Sequence, residues 1–247
     1  MPDSSDDGSD NIIDESFFVD TEYQLQSIQF QDDINIPYYS LYNVTTAYDL
    51  TGQILWPATH ILQQYLQSES NHIISQHTNN VIELGAGIGI ISILIHQLYH
   101  NITKIITTDH NLHVLQLINR NIELNQCSNI VQSYELEWGN LVQIDYMLNT
   151  LLLNGDTILV GSDLCYSVSA VALLIQTIAY TLQQLTLIKS IQHKPKFILS
   201  YILRTHTVHS TLLQSITQYN LCYESIELNT FMNQPVPNGY LFMITLA

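Results

Sequence analysis

Basic residues are almost missing from this chain. Only six of its 247 residues are lysine or arginine, against 22 aspartates and glutamates, and the formal net charge is -16. None of the six precedes Lys104. A nucleic-acid backbone needs a basic face, so that class of partner is excluded. The acidic balance is compatible with a basic protein partner or a cationic ligand, and equally with a solvated surface that keeps the protein soluble. Charge of either sign is scarce at 11% of residues, well under the roughly 25% of an average domain, so Gln, Asn, Ser, Thr and His supply much of the polar surface. Cysteine is also rare. Cys127, Cys165 and Cys222 are odd in number and far apart, which excludes a disulfide scaffold and suits a reducing compartment. No apolar run reaches the ~18 residues of a membrane span. The opening "MPDSSDDGSD" is acidic and polar, the opposite of a signal-peptide n-region. The expectation is a cytoplasmic protein, with the nucleus as a second compartment, beginning with a disordered acidic tail over residues 1–15.

No Pro/Gly/Ser-rich linker divides the chain, and 46% of it is hydrophobic, enough for one α/β domain. Residues 16–50 carry short alternating stretches such as "YQLQSIQF", which predict a β-rich N-terminal extension ahead of a main domain at 51–247. "GQILWPATHILQQYL" reads as a helix, with Pro57 in its first turn and Ile61, Leu62, Tyr65 and Leu66 on one face. Apolar strands then alternate with amphipathic helices. The strands are 80–84, 104–109, 130–138, 156–163 and 196–203; the helices between and after them start near 90, 113, 169 and 208. Such alternation predicts a mostly parallel sheet covered on both faces. Two last strands, joined through "NQPVPNG" without a helix, predict an antiparallel strand at the edge.

The first of these strands runs into "ELGAGIG", with Gly85, Gly87 and Gly89 spaced two apart. Glycine lacks a Cβ and adopts positive φ at little cost, so this turn lets a ligand approach the backbone at the carboxyl end of a strand. The dinucleotide fingerprint G-x-G-x-x-G does not fit, because the third glycine arrives one residue early and position 90 is Ile. E-x-G-x-G-x-G, beginning at Glu83, is instead the pattern of S-adenosylmethionine-dependent methyltransferases. Asp109 ends the second strand, where a carboxylate can accept two ribose hydroxyls; the same residue can cap the helix that follows. Trp138 ends the third strand in "LEWG", where an indole can pack on adenine, or simply fill the core. "GSDLCYS" ends the fourth strand and brings Ser162, Asp163 and Tyr166 to the same rim.

Together, "GQILWPAT", "VIELGAGIGI", "TTDHN", "LEWG", "GSDLCYS" and "LSYILR" stand in the order and approximate spacing of the family-16 seven-β-strand S-adenosylmethionine-dependent methyltransferases. The chain resembles that family, the group of the methyltransferase-21-like protein-lysine methyltransferases, over residues 50–247. The resemblance implies a Rossmann-like α/β sheet in the order 3-2-1-4-5-7-6 with strand 7 antiparallel. It implies that Trp56 and Trp138 flank the cofactor, that Glu83, Gly85, Ala86 and Gly87 form its amino-acid end, that Asp109 holds the ribose and that Ser162 lines the cofactor. Asp163 and Tyr166 match the family's D-x-x-Y motif beside the target side chain. The sequence departs from the pattern at Cys165, inside that motif, and in an insertion over about residues 140–155.

The reaction so implied is transfer of a methyl group to a protein side chain, a lysine ε-amine first, by a monomer that needs neither metal nor membrane. Alternatives are methylation of protein histidine or arginine or of a small molecule, and a non-catalytic cofactor-binding protein of the same fold. Presenting lysine neutral at pH 7 costs about 4.6 kcal/mol, and no residue here is marked as a general base. Asp163 and Tyr166 orient the amine. His110/His113 and His206/His209 have i,i+3 spacing but no third ligand, so they read as surface polarity rather than metal ligands. Cys165 reads as a small buried filler. Arg204 reads either as the partner of a carboxylate near the rim or as a plain surface charge.

Overall fold

The computed structural model describes residues 23–30, 34–41, 52–69, 71, 73–150, 155–188 and 192–247. The acidic tail expected at 1–15 lies outside these residues, as do 16–22 and 42–50 of the extension.

Two antiparallel strands come first, β1 (Tyr23–Gln29) and β2 (Asn35–Leu41), paired from Tyr23–Leu41 to Gln29–Asn35. They are followed by α1 (Ala58–Gln67), β3 (Thr78–Glu83), α2 (Ile90–Leu98), β4 (Lys104–Asp109), α3 (Leu112–Leu124), β5 (Val131–Glu135), α4 (Leu141–Thr150), β6 (Asp156–Ser162), α5 (Val168–Thr186), β7 (Phe197–Ile202), α6 (His206–Gln218), β8 (Leu221–Ser225) and β9 (Gly239–Leu246). The main sheet runs β5-β4-β3-β6-β7-β9-β8. Its first five strands are parallel, and β9 is antiparallel to both neighbours. This is the order 3-2-1-4-5-7-6 that the resemblance implies; the antiparallel strand expected at the edge is β9, which lies one place in, between β7 and the edge strand β8.

Alternation along each strand splits the core in two. Val81, Ile105, Ile158, Val160 and Ile198 face one apolar cluster, which also takes in residues of α1, α2, α3 and the hairpin. Ile82, Ile106, Leu159, Phe197 and Leu199 face the other, with α4, α5 and α6. A strand buried on both faces has no polar side to show, hence the continuous apolar runs. The hairpin is tied to the first layer by side-chain amides. Asn121 accepts from the Tyr39 N–H (2.7 Å) and donates to the Tyr39 and Ile88 carbonyls (3.1 and 2.9 Å). Asn125 donates to the Pro37 carbonyl (2.9 Å).

Three expectations need correction. Residues 140–155 are not a plain insertion: α4 occupies most of them, burying Ile144, Met147 and Leu148 and packing beside α5 as the ordinary crossover between two parallel strands. Strand β5 stops at Glu135, so Trp138 sits in the loop beyond it rather than on the strand. Finally, α5 is one helix long and apolar enough by length and composition to cross a membrane. Its apolar residues Val171, Leu174, Ile175, Ile178 and Leu182 are buried in the second core cluster, the place of the central helix of an α/β fold.

Candidate active site

The five parallel strands end at one rim, and the strand order reverses between β3 and β6. The loops after these two strands therefore flank a crevice at the carboxyl edge of the sheet.

The loop after β3 is shaped by glycine. Gly85 and Gly87 have φ of 57° and 56°, a region that costs a residue with a Cβ roughly 1–2 kcal/mol. Space for a side chain is tight there as well. A Cβ on Gly85 would lie 2.7 Å from Leu164 Cδ2 and 3.1 Å from Trp138 Cζ2, and one on Gly87 would lie 3.1 Å from the Gly52 carbonyl oxygen. The loops after β3, β5 and β6 thus meet at Gly85. Gly89 ends the turn as the left-handed N-cap of α2.

Three buried carboxylates stand at this edge, on the ends of β3 and β4 and just beyond β6. Glu83 is buried, and its Oε2 accepts from the Ser92 N–H (3.0 Å), the Ser92 hydroxyl and the Thr107 hydroxyl (3.3 Å). Burial outweighs these donors and pushes its carboxyl up to about 7. Asp109 accepts from the Gly87 N–H (3.3 Å) and the Asn111 N–H (3.1 Å), with His110 Nδ1 3.5 Å away. Burial raises its carboxyl too, against those donors. It does not cap α3: Asn111 does, accepting from the His113 and Val114 N–H groups. Asp109 is thereby left facing the crevice.

Asp163 opens the loop after β6 at φ 57°, an unusual value for a residue with a side chain. Its N–H is held by the Ser200 carbonyl at 2.8 Å. Its buried carboxylate accepts from Arg204 Nη2 at Oδ2 (3.0 Å), while Oδ1 has no hydrogen-bond partner among the described residues. The Arg204 guanidinium also lies 4.6 Å from the centre of the Trp56 ring. Arg204 is therefore the partner of a rim carboxylate. Tyr166 is half-exposed, with its ring 6.2 Å from Trp138. Ser162 and Thr59 share a hydrogen bond of 3.1 Å, and the Ser200 hydroxyl donates to the Ala58 carbonyl at 2.8 Å, which together pin the start of α1 to the ends of β6 and β7. Cys165 is buried, and burial pushes its thiol far up, so it is a filler and not a nucleophile.

Two hollows share Gly85 as a wall. The larger, about 230 Å³, is lined by Asp109, Trp138 and Tyr166 among others. The smaller, about 30 Å³, is lined by Trp56, Thr59, Glu83, Ala86, Gly87 and Ser162 among others. Apart from Asp163, every site residue expected from the sequence borders one of them. The sequence reading missed Thr59, His110 and Glu137. Thr59 was signalled by its place in W-P-A-T, and the other two by adjacency to Asp109 and Trp138.

A doubly wound sheet with a glycine turn, a buried carboxylate at the end of the next strand and a buried acid across the crevice defines a site of the methyltransferase class. The chain matches the model of the lysine methyltransferase family over residues 43–218, and it belongs to that family. It is similar to the protein-lysine N-methyltransferase EFM6 of Saccharomyces cerevisiae, at 29% identity over 140 residues (51% of this chain, 56% of that protein). It is also similar to the protein-lysine methyltransferase METTL21E of Mus musculus, at 30% identity over 148 residues (59% and 57%). The matched segments span little more than half the length of these curated relatives. Among solved structures, the fold is shared with SMU.776, determined in complex with SAH (TM-score 0.55, 14% identity, 85% of this chain and 54% of that one). It is shared also with precorrin-6y C5,15-methyltransferase of Geobacter metallireducens (TM-score 0.51, 12% identity, 85% and 93%).

Proposed function

We propose that this chain is an S-adenosylmethionine-dependent methyltransferase that modifies a protein lysine ε-amine. The observation that carries the reading is the meeting at Gly85 of two hollows, one bordered by Asp109 and Trp138 and the other by Trp56 and Ser162, beside a buried carboxylate with a free oxygen. The residues fit the cofactor. The cradle at Gly85 is one that a single Cβ would fill, and Asp109 offers the pair of acceptor oxygens that a ribose diol requires. In this reading Asp109 holds the ribose, Trp138 packs on the base, and Gly85, Ala86 and Gly87 with Trp56 and Ser162 enclose the amino-acid end. Glu83 acts chiefly through the loop, because its Oε2 is committed to Ser92 and Thr107.

When bound, S-adenosylmethionine would supply an electrophilic methyl on a sulfonium sulfur, whose C–S bond would break as the acceptor nitrogen formed the new N–C bond. What the protein contributes is position and electrostatics. In this reading Asp163 Oδ1, which is buried and borders neither hollow here, is uncovered as the acceptor enters, accepts one of its N–H groups and aims its lone pair. The half-exposed Tyr166 covers the amine and keeps water off it. The amine sheds its proton to solvent before attack, since no base stands by to take it.

The three free cysteines, two of them buried, suit a reducing compartment, and we place the protein in the cytoplasm. One chain furnishes every wall named above, which suits a monomer. The net charge of -16 turns its surface toward protein rather than nucleic-acid partners. The test is labelled methyl transfer into a cell extract, with mass spectrometry of the modified residue. Label on a lysine, lost in Asp163→Asn with cofactor affinity retained within a few-fold, supports the reading. Label on histidine or arginine moves the assignment to the alternative acceptor, and no transfer by a folded protein that binds S-adenosylhomocysteine leaves a binding protein.

A further inference from the structure

Asp163 poses an electrostatic problem for a lysine methyltransferase. A lone buried carboxylate against the acceptor would favour the ammonium, which has no lone pair to give. The structure holds an answer on the neighbouring strand end. Arg204, 41 residues further along the chain, donates to Asp163 Oδ2 at 3.0 Å and leaves Oδ1 unpartnered. It is held from a second side by its place over the Trp56 ring, 4.6 Å from the ring centre. Trp56 in turn borders the small hollow with Ala86, Gly87 and Ser162.

We infer that Arg204 is a positioning residue for the acceptor: it cancels the charge of Asp163, so that Oδ1 orients the amine without fixing it as an ammonium. The inference rests on the methyltransferase reading above and extends it to a group outside the D-x-x-Y motif. A carboxylate with one oxygen occupied by a guanidinium still accepts one hydrogen bond at the other, but the pair carries no net charge. Binding a neutral amine then costs no lost attraction. The stack on Trp56 keeps the guanidinium from swinging into solvent, which matters because it is 38% exposed. A flexible ammonium in its place would lack the planar face for that stack.

On the elements that meet at this point, the other charged or titratable side chains include Glu83 of β3, Cys165 and Tyr166 of the loop after β6, His60 and Tyr65 of α1, the buried Tyr201 of β7 with its hydrogen-bond partner His209 of α6, and the exposed His206. The Cys165 thiol is pushed up by burial and stays neutral. Glu83 changes charge near neutrality, its carboxyl lying at about 7. That change is common to wild type and Arg204 variants and cancels in their comparison.

A positive charge some 6 Å from the amine, discounted for its exposure, shifts the amine's ionisation by about one pH unit. Arg204→Gln should therefore move the rising limb of the kcat–pH profile, measured on the lysine substrate found in the extract assay, up by about one unit. At pH 7.5 kcat should fall roughly tenfold while KM holds or drops. Arg204→Lys should recover the wild-type limb in part. A second readout needs no turnover. With S-adenosylhomocysteine bound, n-butylammonium titrated by NMR should bind Arg204→Gln about tenfold tighter than wild type, and 1-butanol should bind both alike. Arg204→Ala, which also removes the charge, should behave as Arg204→Gln does and serves if that variant does not fold. Unchanged butylammonium affinity and an unchanged pH profile in an active, folded neutral variant overturn this inference alone. A wild type that methylates no lysine overturns the proposed function and this inference with it.

Discussion

Replacing Glu83 by glutamine tests the electrostatics of the glycine loop directly. The carboxyl is fully buried, and its ionisation is raised from 4.5 to about 7 by desolvation, against three donors from Ser92 and Thr107. A raised acid binds its proton more tightly in the folded state than in the unfolded one. The stability it confers is complete below the unfolded value and is lost as pH rises through the folded value. The window is therefore pH 4.5 to 7. The shift of about 2.5 units corresponds to roughly 3 kcal/mol across that window. Asp109 and Asp156 also titrate differently on folding, so absolute stability mixes several groups. The difference between Glu83→Gln and wild type isolates one. Glutamine keeps the shape and an acceptor oxygen but never ionises. The variant should gain on wild type by about 3 kcal/mol between pH 4.5 and 7.5, which for a domain of this size is roughly 6–12 °C in Tm. Thermal melts by circular dichroism at half-unit intervals read it out. A difference that stays flat from pH 4.5 to 7.5 would refute the argument, since the carboxyl would then ionise as it does in the unfolded chain.

Gly85→Ala should weaken S-adenosylhomocysteine binding at least tenfold by calorimetry and lower stability by about 1–2 kcal/mol, because the new Cβ meets Leu164 and Trp138 at φ 57°. Asp109→Asn keeps the volume but removes the charged acceptor. It should cost cofactor affinity about tenfold to a hundredfold, in line with loss of one or two charge-assisted hydrogen bonds, with no loss of α3, whose cap is Asn111. Iodoacetamide should modify Cys222 in the native protein and spare Cys127 and Cys165 until it is unfolded. Cys222 is exposed, while burial pushes the Cys127 thiol up to about 11 and Cys165 higher still; peptide mapping by mass spectrometry would show otherwise.

Which of these features were legible in the sequence follows from how local their causes are. The glycine spacing is a local demand, two positive-φ positions and a helix cap within five residues, so it is written plainly. The mostly parallel sheet follows from the alternation of apolar strands and helices, and the antiparallel strand from the missing helix before β9; the strand order itself came only from the family resemblance. Helix α4 was overlooked because Leu141, Ile144, Met147 and Leu148 mark one face, yet Val142 and Tyr146 lie off it and a further apolar run follows at 151–153. Apolar residues on both sides of a segment give a weak period. Of the two roles weighed for Asp109, that of a helix cap fell to Asn111, two residues on. The partners of Glu83 and Asp163 are separated from them by nine and 41 residues. Strand pairing and loop packing, rather than spacing, bring them together.

The three carboxylates at the sheet edge show why residue type alone underdetermines chemistry here. All three are buried at the carboxyl ends of strands, and each is compensated differently. Glu83 faces hydroxyls and one N–H at the start of α2, too little to hold a charge in a dry site, so it carries a proton near neutrality and stiffens the loop. Asp109 takes two backbone N–H groups that cannot move without unmaking the loop, which fixes its acceptor oxygens at the crevice. Asp163 alone has a full countercharge, and alone keeps a buried oxygen with no partner. A buried acceptor left unsatisfied costs about 1–3 kcal/mol, and the left-handed backbone at the same residue adds a cost of its own. Both costs fall on the one residue that the proposed reaction needs to present an oxygen to an incoming N–H. On the proposed reading, a bound acceptor amine would relieve the first of them.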